Sequence, residues 1–216
     1  MVIKNYILLI CFPLVLLFQS CTHLKKEFYA GGKVKSEISV KKGLYQGKAT
    51  WWYEDGKKEM ECFYVDNLLD STLTRWYENG KIHEQAHYNK DKQEGLNTQW
   101  DKDGRLVSKE MFKNGVPDGK FFEFYSTGIH KVEGQFRDGN YDGLWLYFDY
   151  TGRLIGEGSF SGGSGKQTAY YDDGKVKEVL NYKNNQKDGE ARYYDMEGRL
   201  TALKTYRADT LVEIRK

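Results

Sequence analysis

The chain has 216 residues, with 33 Lys and Arg against 31 Asp and Glu and a formal net charge of +2. That near balance gives no electrostatic reason to expect a nucleic-acid partner. Mean hydropathy is −0.74, yet Phe, Trp and Tyr make up 15% of the chain. Disordered chains are poor in aromatics, so the composition describes a folded, thin, Tyr-rich β protein.

Residues 1–20 read as a targeting segment. Lys4 supplies a positive start, and Tyr6 to Phe18 is an apolar run broken only by Cys11 and Pro13, too short to span a bilayer comfortably. The run closes on Leu17-Phe18-Gln19-Ser20-Cys21, where a small residue precedes a cysteine and the sequence turns polar at once. This resembles a bacterial lipobox, although Phe18 and Gln19 depart from the strict pattern. Cleavage there predicts a lipid on Cys21, a short tether over 21–27 and an envelope location, the outer membrane before the inner. Removal of Cys11 and acylation of Cys21 would leave Cys62 alone, so no disulfide framework is expected.

From Phe28 to Tyr206 the chain repeats itself. Glycines stand at 32, 56, 80, 104, 128, 152, 174 and 198, in steps of 24 residues except one of 22. Four residues before each comes an aromatic: Phe28, Trp52, Trp76, Trp100, Phe124, Phe148, Tyr170 or Tyr194. Fifteen after most comes a second glycine, with Ser71 substituting in the second unit; the loop at Ser161–Gly165 is shorter and is assigned the 22-residue step. Asn79-Gly80 and Asp103-Gly104 are hairpin turn signals. Between turns the residues alternate with period two, Ile82, Ala86 and Tyr88 on one side and mostly polar residues on the other. Period two means strand.

One hairpin is marginal in water, but stacked hairpins bury each other's aromatic ladders. The expected fold is therefore all-β: an elongated single-layer antiparallel meander of tandem hairpin repeats over 28–206, on the order of 75 Å long. Residues 207–216 are expected to cap it, with Asp209, Glu213 and Arg215 discouraging edge-to-edge pairing. A monomeric array is the expectation.

Trp76-Tyr77-Glu78-Asn79-Gly80-Lys81, and Phe112-Lys113-Asn114-Gly115 running on to Asp118-Gly119, resemble the bacterial variant of the MORN repeat, as found in YwqK-type antitoxins. The resemblance implies a hairpin-repeat fold and a scaffolding or antitoxin-like role, and supplies no catalytic residues.

Two motifs look chemical. His83-Glu84-Gln85-Ala86-His87 is a literal H-E-x-x-H, but that zinc motif needs a helix. In a strand the two histidines stand about 13 Å apart and cannot share a metal. Gly162-Gly163-Ser164-Gly165-Lys166 resembles a phosphate loop, but Phe160 replaces its first glycine and Gln167 its Ser or Thr. No enzyme activity, cofactor or metal is expected.

Binding is the expected function, with another protein as partner. Lys33, Lys57, Lys81, Arg105, Arg153, Lys175 and Arg199 follow the unit glycines and should line one edge; Glu94, Asp118, Asp142 and Asp188 should line the other. The residue after each ladder aromatic switches between Tyr and Asp, which suggests that it does not pack. Tyr53, Tyr77, Tyr125 and Tyr171 are thus expected to form an exposed recognition stripe.

Overall fold

The computed structural model describes residues 22–215, so the expected signal segment and Cys21 lie outside the described residues. The described chain is a single antiparallel sheet of 19 strands. Each strand pairs with its neighbours in sequence, and the described residues include no helix. Two strand positions are split, Lys92–Gln93 from Gly95–Trp100 and Gln186–Lys187 from Gly189–Tyr194, so the 19 strands occupy 17 positions.

The expected tether is corrected. His23–Phe28 is the first strand, with His23 opposite Val40 and Phe28 opposite Val34. At the other end Thr210–Arg215 adds a last strand against Leu203–Arg207, so the cap continues the sheet.

Two kinds of turn alternate. At the unit glycines only the glycine takes a left-handed conformation; Gly80 has φ 84° while Asn79 does not. The Gly80 amide donates to Tyr77 O at 2.8 Å and the Tyr77 amide to Lys81 O at 2.8 Å. This is a type I turn closed by a glycine bulge. The return turns, such as Asp66-Asn67 and Asn114-Gly115, hold two consecutive residues at positive φ, the mark of a type I′ turn. The type I′ turns are thus the return turns, and Asn79-Gly80 is not one.

Most return strands carry a second bulge. Ile38 faces Ala49 and Val40 faces Tyr45, so Ser39 meets three residues on the other strand. Gly47 at φ 102° makes that excursion. In the sixth unit Leu154–Ser161 and Ser164–Tyr170 pair with no shift in register, while the Gly162-Gly163 turn is as short as the others. The missing two residues are therefore the bulge, not part of the loop. Ser71 holds the bulge position at φ 67°, a conformation that costs a residue with a Cβ about 1–2 kcal/mol. Ser71→Gly is expected to raise stability by about 0.5–1 kcal/mol in urea melts, once the extra freedom of glycine in the unfolded chain is offset.

One face of the sheet carries the buried centre. Ile38, Ala49, Cys62 and Leu73 form a cluster flanked by Tyr45, Trp51, Met60, Tyr64, Leu69 and Tyr88. A single layer can bury only a narrow strip, so small residues sit in the middle and large ones lean over them. Directly opposed pairs are complementary in size: Leu73 faces Ala86, Phe121 faces Gly134, and Trp145 faces Gly158. A Cβ on Gly134 would lie 2.3 Å from the Trp145 ring. Midway the strip turns polar. Asn97 faces Glu110 and donates to Glu84 at 3.3 Å, and burial raises the Glu110 carboxyl above its ordinary value. Beyond it the centre is aromatic, with Trp145 ring centroids 5.7 Å from Phe121, 5.0 Å from Phe136 and 4.7 Å from Tyr141.

Candidate functional site: an aromatic stripe opposite the buried centre

The ladder aromatics lie on the other face. Trp51 packs against the buried cluster, so alternation turns Trp52 away from it. Trp52 lines a shallow depression with Thr50 and Lys58 on that opposite face. The expectation that Trp52, Trp76, Trp100 and their equivalents form the packed core is therefore corrected: the residue before each of them, or the one three earlier, occupies that role.

Each ladder aromatic has a fixed cross-strand partner. Trp76 faces Ile82, Trp100 faces Leu106, Phe124 faces His130, Phe148 faces Leu154, Tyr170 faces Val176 and Tyr194 faces Leu200. Ile82, Leu154, Val176 and Leu200 are exposed and the later ladder rings half-buried. Six of the eight units carry such a pair, Phe28 facing Val34 in the first, while Trp52 faces Lys58 and Phe124 faces His130, so the stripe beside the type I turns is apolar with two polar breaks. Cations punctuate it: Lys58 Nζ sits 5.5 Å from the Trp76 ring centre.

The tyrosines expected to be free are bound into the fold. Tyr53 Oη donates to Trp76 O at 2.7 Å, Tyr77 to Trp100 O at 2.9 Å, Tyr125 to Phe148 O at 2.9 Å and Tyr171 to Tyr194 O at 2.7 Å. Each hydroxyl ties one unit to the next. Burial raises the Tyr53 phenol above its ordinary value, so it stays a protonated donor at neutral pH. Tyr77 also lies 4.4 Å from the His83 ring. Tyr77→Phe is expected to lower stability by about 1 kcal/mol, the usual worth of such a bond, in a denaturant titration; an unchanged midpoint would show the hydroxyl to be idle.

Where the same position is Asp, the turn is closed locally instead. Asp149 Oδ1 accepts the Thr151 hydroxyl at 2.6 Å and the amides of Thr151 and Arg153 at 2.8 and 3.1 Å. The Thr151 hydroxyl leads the contacts that hold its carboxyl down at about 2. Asp101 and Asp195 accept the matching amides of Arg105 and Arg199.

The charged edges are likewise built into the array. Lys33, Lys57, Lys81, Arg153 and Lys175 each donate to a main-chain carbonyl of the following unit, as Lys81 Nζ does to Asp103 O at 2.6 Å. On the far edge Glu94 accepts the Asn114 amide at 2.8 Å, and Asp91 accepts the Leu69 amide at 2.6 Å. These charges stitch neighbouring units together.

The remaining motifs fall into regular structure. His83 to His87 lies within the strand Ile82–Asn89, and Gly162-Gly163 is a hairpin turn leading into a strand. Cys62 is buried and unoxidised, and burial pushes its thiol up to about 11, which makes it a packing group rather than a nucleophile.

Four segments match the family model for the MORN repeat variant: residues 24–42, 45–66, 69–90 and 164–184. The last three run from one return turn to the next and the first from the opening strand to a return turn, and each holds a type I turn near its middle. These four segments are thus similar to MORN-variant repeats. No curated protein matches the sequence.

Proposed function

We propose that this chain is a non-enzymatic protein-interaction module of the bacterial cell envelope, held at the membrane by lipid on Cys21. The observation that carries the binding role is the stripe of paired aromatic and aliphatic side chains on the face away from the buried centre. Their recurrence in six of the eight units supports selection for a surface, since the packing of the units is already provided by the opposite face. MORN-variant repeats are consistent with such a module. The sheet begins at His23, so a lipid on Cys21 would leave only Thr22 between the anchor and the first strand. The array would then stand directly at the membrane surface. The antitoxin role implied by the YwqK resemblance is the special case in which the partner is a toxin.

The test compares the full chain with a Trp76→Ala, Trp100→Ala, Phe124→Ala variant in photo-crosslinking and capture from solubilised envelopes. The variant should lose the captured partner at least tenfold while keeping its β-sheet circular dichroism, because the trimmed rings lie off the buried strip. Equal capture by both proteins would remove the stripe from the account. Cys21→Ser should release the chain from membranes; retention would point to another anchor.

A further inference from the structure

Charge is spread unevenly along the array. Residues 22–48 contain seven Lys and two Glu, a net charge of +5. Residues 49–216 contain 25 Lys and Arg against 29 Asp and Glu, a net charge of −4, and residues 1–21 add Lys4 and no acid. All seven lysines of the first unit are exposed. Lys25 and Lys26 are adjacent in the strand His23–Phe28, so alternation puts a cation on each of its faces. His23 faces Val40, which brings the start of that strand beside the turn Lys41-Lys42-Gly43. Glu27 and Glu37 are already engaged, by Lys25 at 3.8 Å and Lys26 at 2.5 Å, and among the described residues Lys41 and Lys42 hold no ion pair. Leu24 and Leu44 are exposed in the same corner.

We propose that this basic corner seats on anionic lipid headgroups and stands the array upright at the membrane, with the later units held away from the surface. The proposal rests on the membrane placement proposed above. An anionic surface attracts cations within a screening length of it, each Lys contributing about a fivefold factor in partition. Lysines on both faces of the first strand and in the adjoining turn wrap one end of the sheet. Attraction is therefore strongest with that end down, not with either face lying flat. The acidic remainder of the array is repelled from the same surface, which favours the same orientation. Leu24 and Leu44 suit the boundary just below the headgroups. The corner contains no Arg, although the rest of the chain has eight. Arg is the side chain that grips a fixed carboxylate with two hydrogen bonds, so its absence favours a fluid layer of charge over a folded acidic protein.

The full chain is mixed with vesicles of phosphatidylcholine alone or with added phosphatidylglycerol, freed of detergent and floated. Brief acetylation then reports the exposure of each lysine by mass spectrometry. Lys25, Lys41 and Lys42 should react at least about threefold more slowly on the anionic vesicles, and Lys177 and Lys183 equally on both. Salt at about 1 M, where the screening length is about 3 Å, should erase the difference. Lys41→Gln with Lys42→Gln should remove the protection of Lys25, whereas Lys90→Gln with Lys92→Gln, at a later return turn, should not. Flotation with both vesicle types and equal labelling would overturn the proposal and leave the lipid anchor standing. Flotation with the anionic vesicles alone, lost in salt, would support the basic corner and remove the anchor. Flotation with neither would remove both. Protection by soluble poly-glutamate but not by anionic vesicles would overturn the proposal in favour of an acidic protein.

Discussion

Replacing Trp145 with alanine is expected to cost about 3–5 kcal/mol, the range for deleting a large buried aromatic. Trp145 is 3% exposed, and its ring is held by Phe121, Phe136 and Tyr141 on three sides. Its indole Nε1 donates to Gln135 O at 3.1 Å, so truncation also strips a partner from a main-chain carbonyl. The ring lies over Gly134, where a Cβ would come within 2.3 Å of it, so the glycine itself has no side chain to fill the space. Because the units are held mainly by their neighbours, the loss should appear in guanidinium titrations as early unfolding of the units around the site. Trp76→Ala, on the opposite face, should cost much less, about 1 kcal/mol for a half-buried side chain. Equal costs would mean that both faces are covered.

Gly165→Ala is expected to be comparably damaging, at about 3 kcal/mol or more. A Cβ there would lie 2.0 Å from Ser159 O and 2.9 Å from the Phe160 Cα. Both obstacles are main chain, so relief requires unpairing the strands rather than turning a side chain. This is the unit without a return bulge, where Phe160 and Gly165 face each other in an unbroken ladder. Ser164→Ala, one residue away and exposed, should stay within about 0.5 kcal/mol. Thermal melts of the two variants side by side give the comparison, and matching melting temperatures would show that the ladder yields there.

Much of the fold is legible in the sequence because period-two alternation and regularly spaced glycines constrain a hairpin array almost completely. Which face is buried is not. Trp51 and Trp52 are adjacent and chemically alike, and only the bulge between them and the neighbouring unit decides which one meets Cys62 and Leu73. The Tyr and Asp alternation was open to a better reading. Tyr at 53, 77 and 171 travels with Lys at 57, 81 and 175, while Asp at 101, 149 and 195 travels with Arg at 105, 153 and 199. The first pair reaches forward to the next unit's carbonyls, and the second closes its own turn with an ion pair, as Arg199 Nε does to Asp195 at 2.8 Å, with Arg153 doing both. The switch marks two solutions to one structural problem, not freedom from one. The paired aliphatic residues of the stripe, Ile82, Leu154, Val176 and Leu200, were visible as even-offset apolar positions. Their removal from the buried face depends on the glycine bulge, which alternation alone does not reveal.

Small-angle X-ray scattering tests the central claim, a one-layer array with two chemically distinct faces, most directly. Seventeen strand positions at about 4.8 Å each make a body roughly 75–80 Å long, with a radius of gyration of about 24 Å. A compact domain of the same length would give about 16 Å. The scattering is recorded on particles of single-chain mass, because an associated pair of compact domains would also lie above this value. A radius of gyration above about 22 Å is the value this fold requires; a value near 16 Å would mean a second layer covers the stripe, and the binding face would not exist.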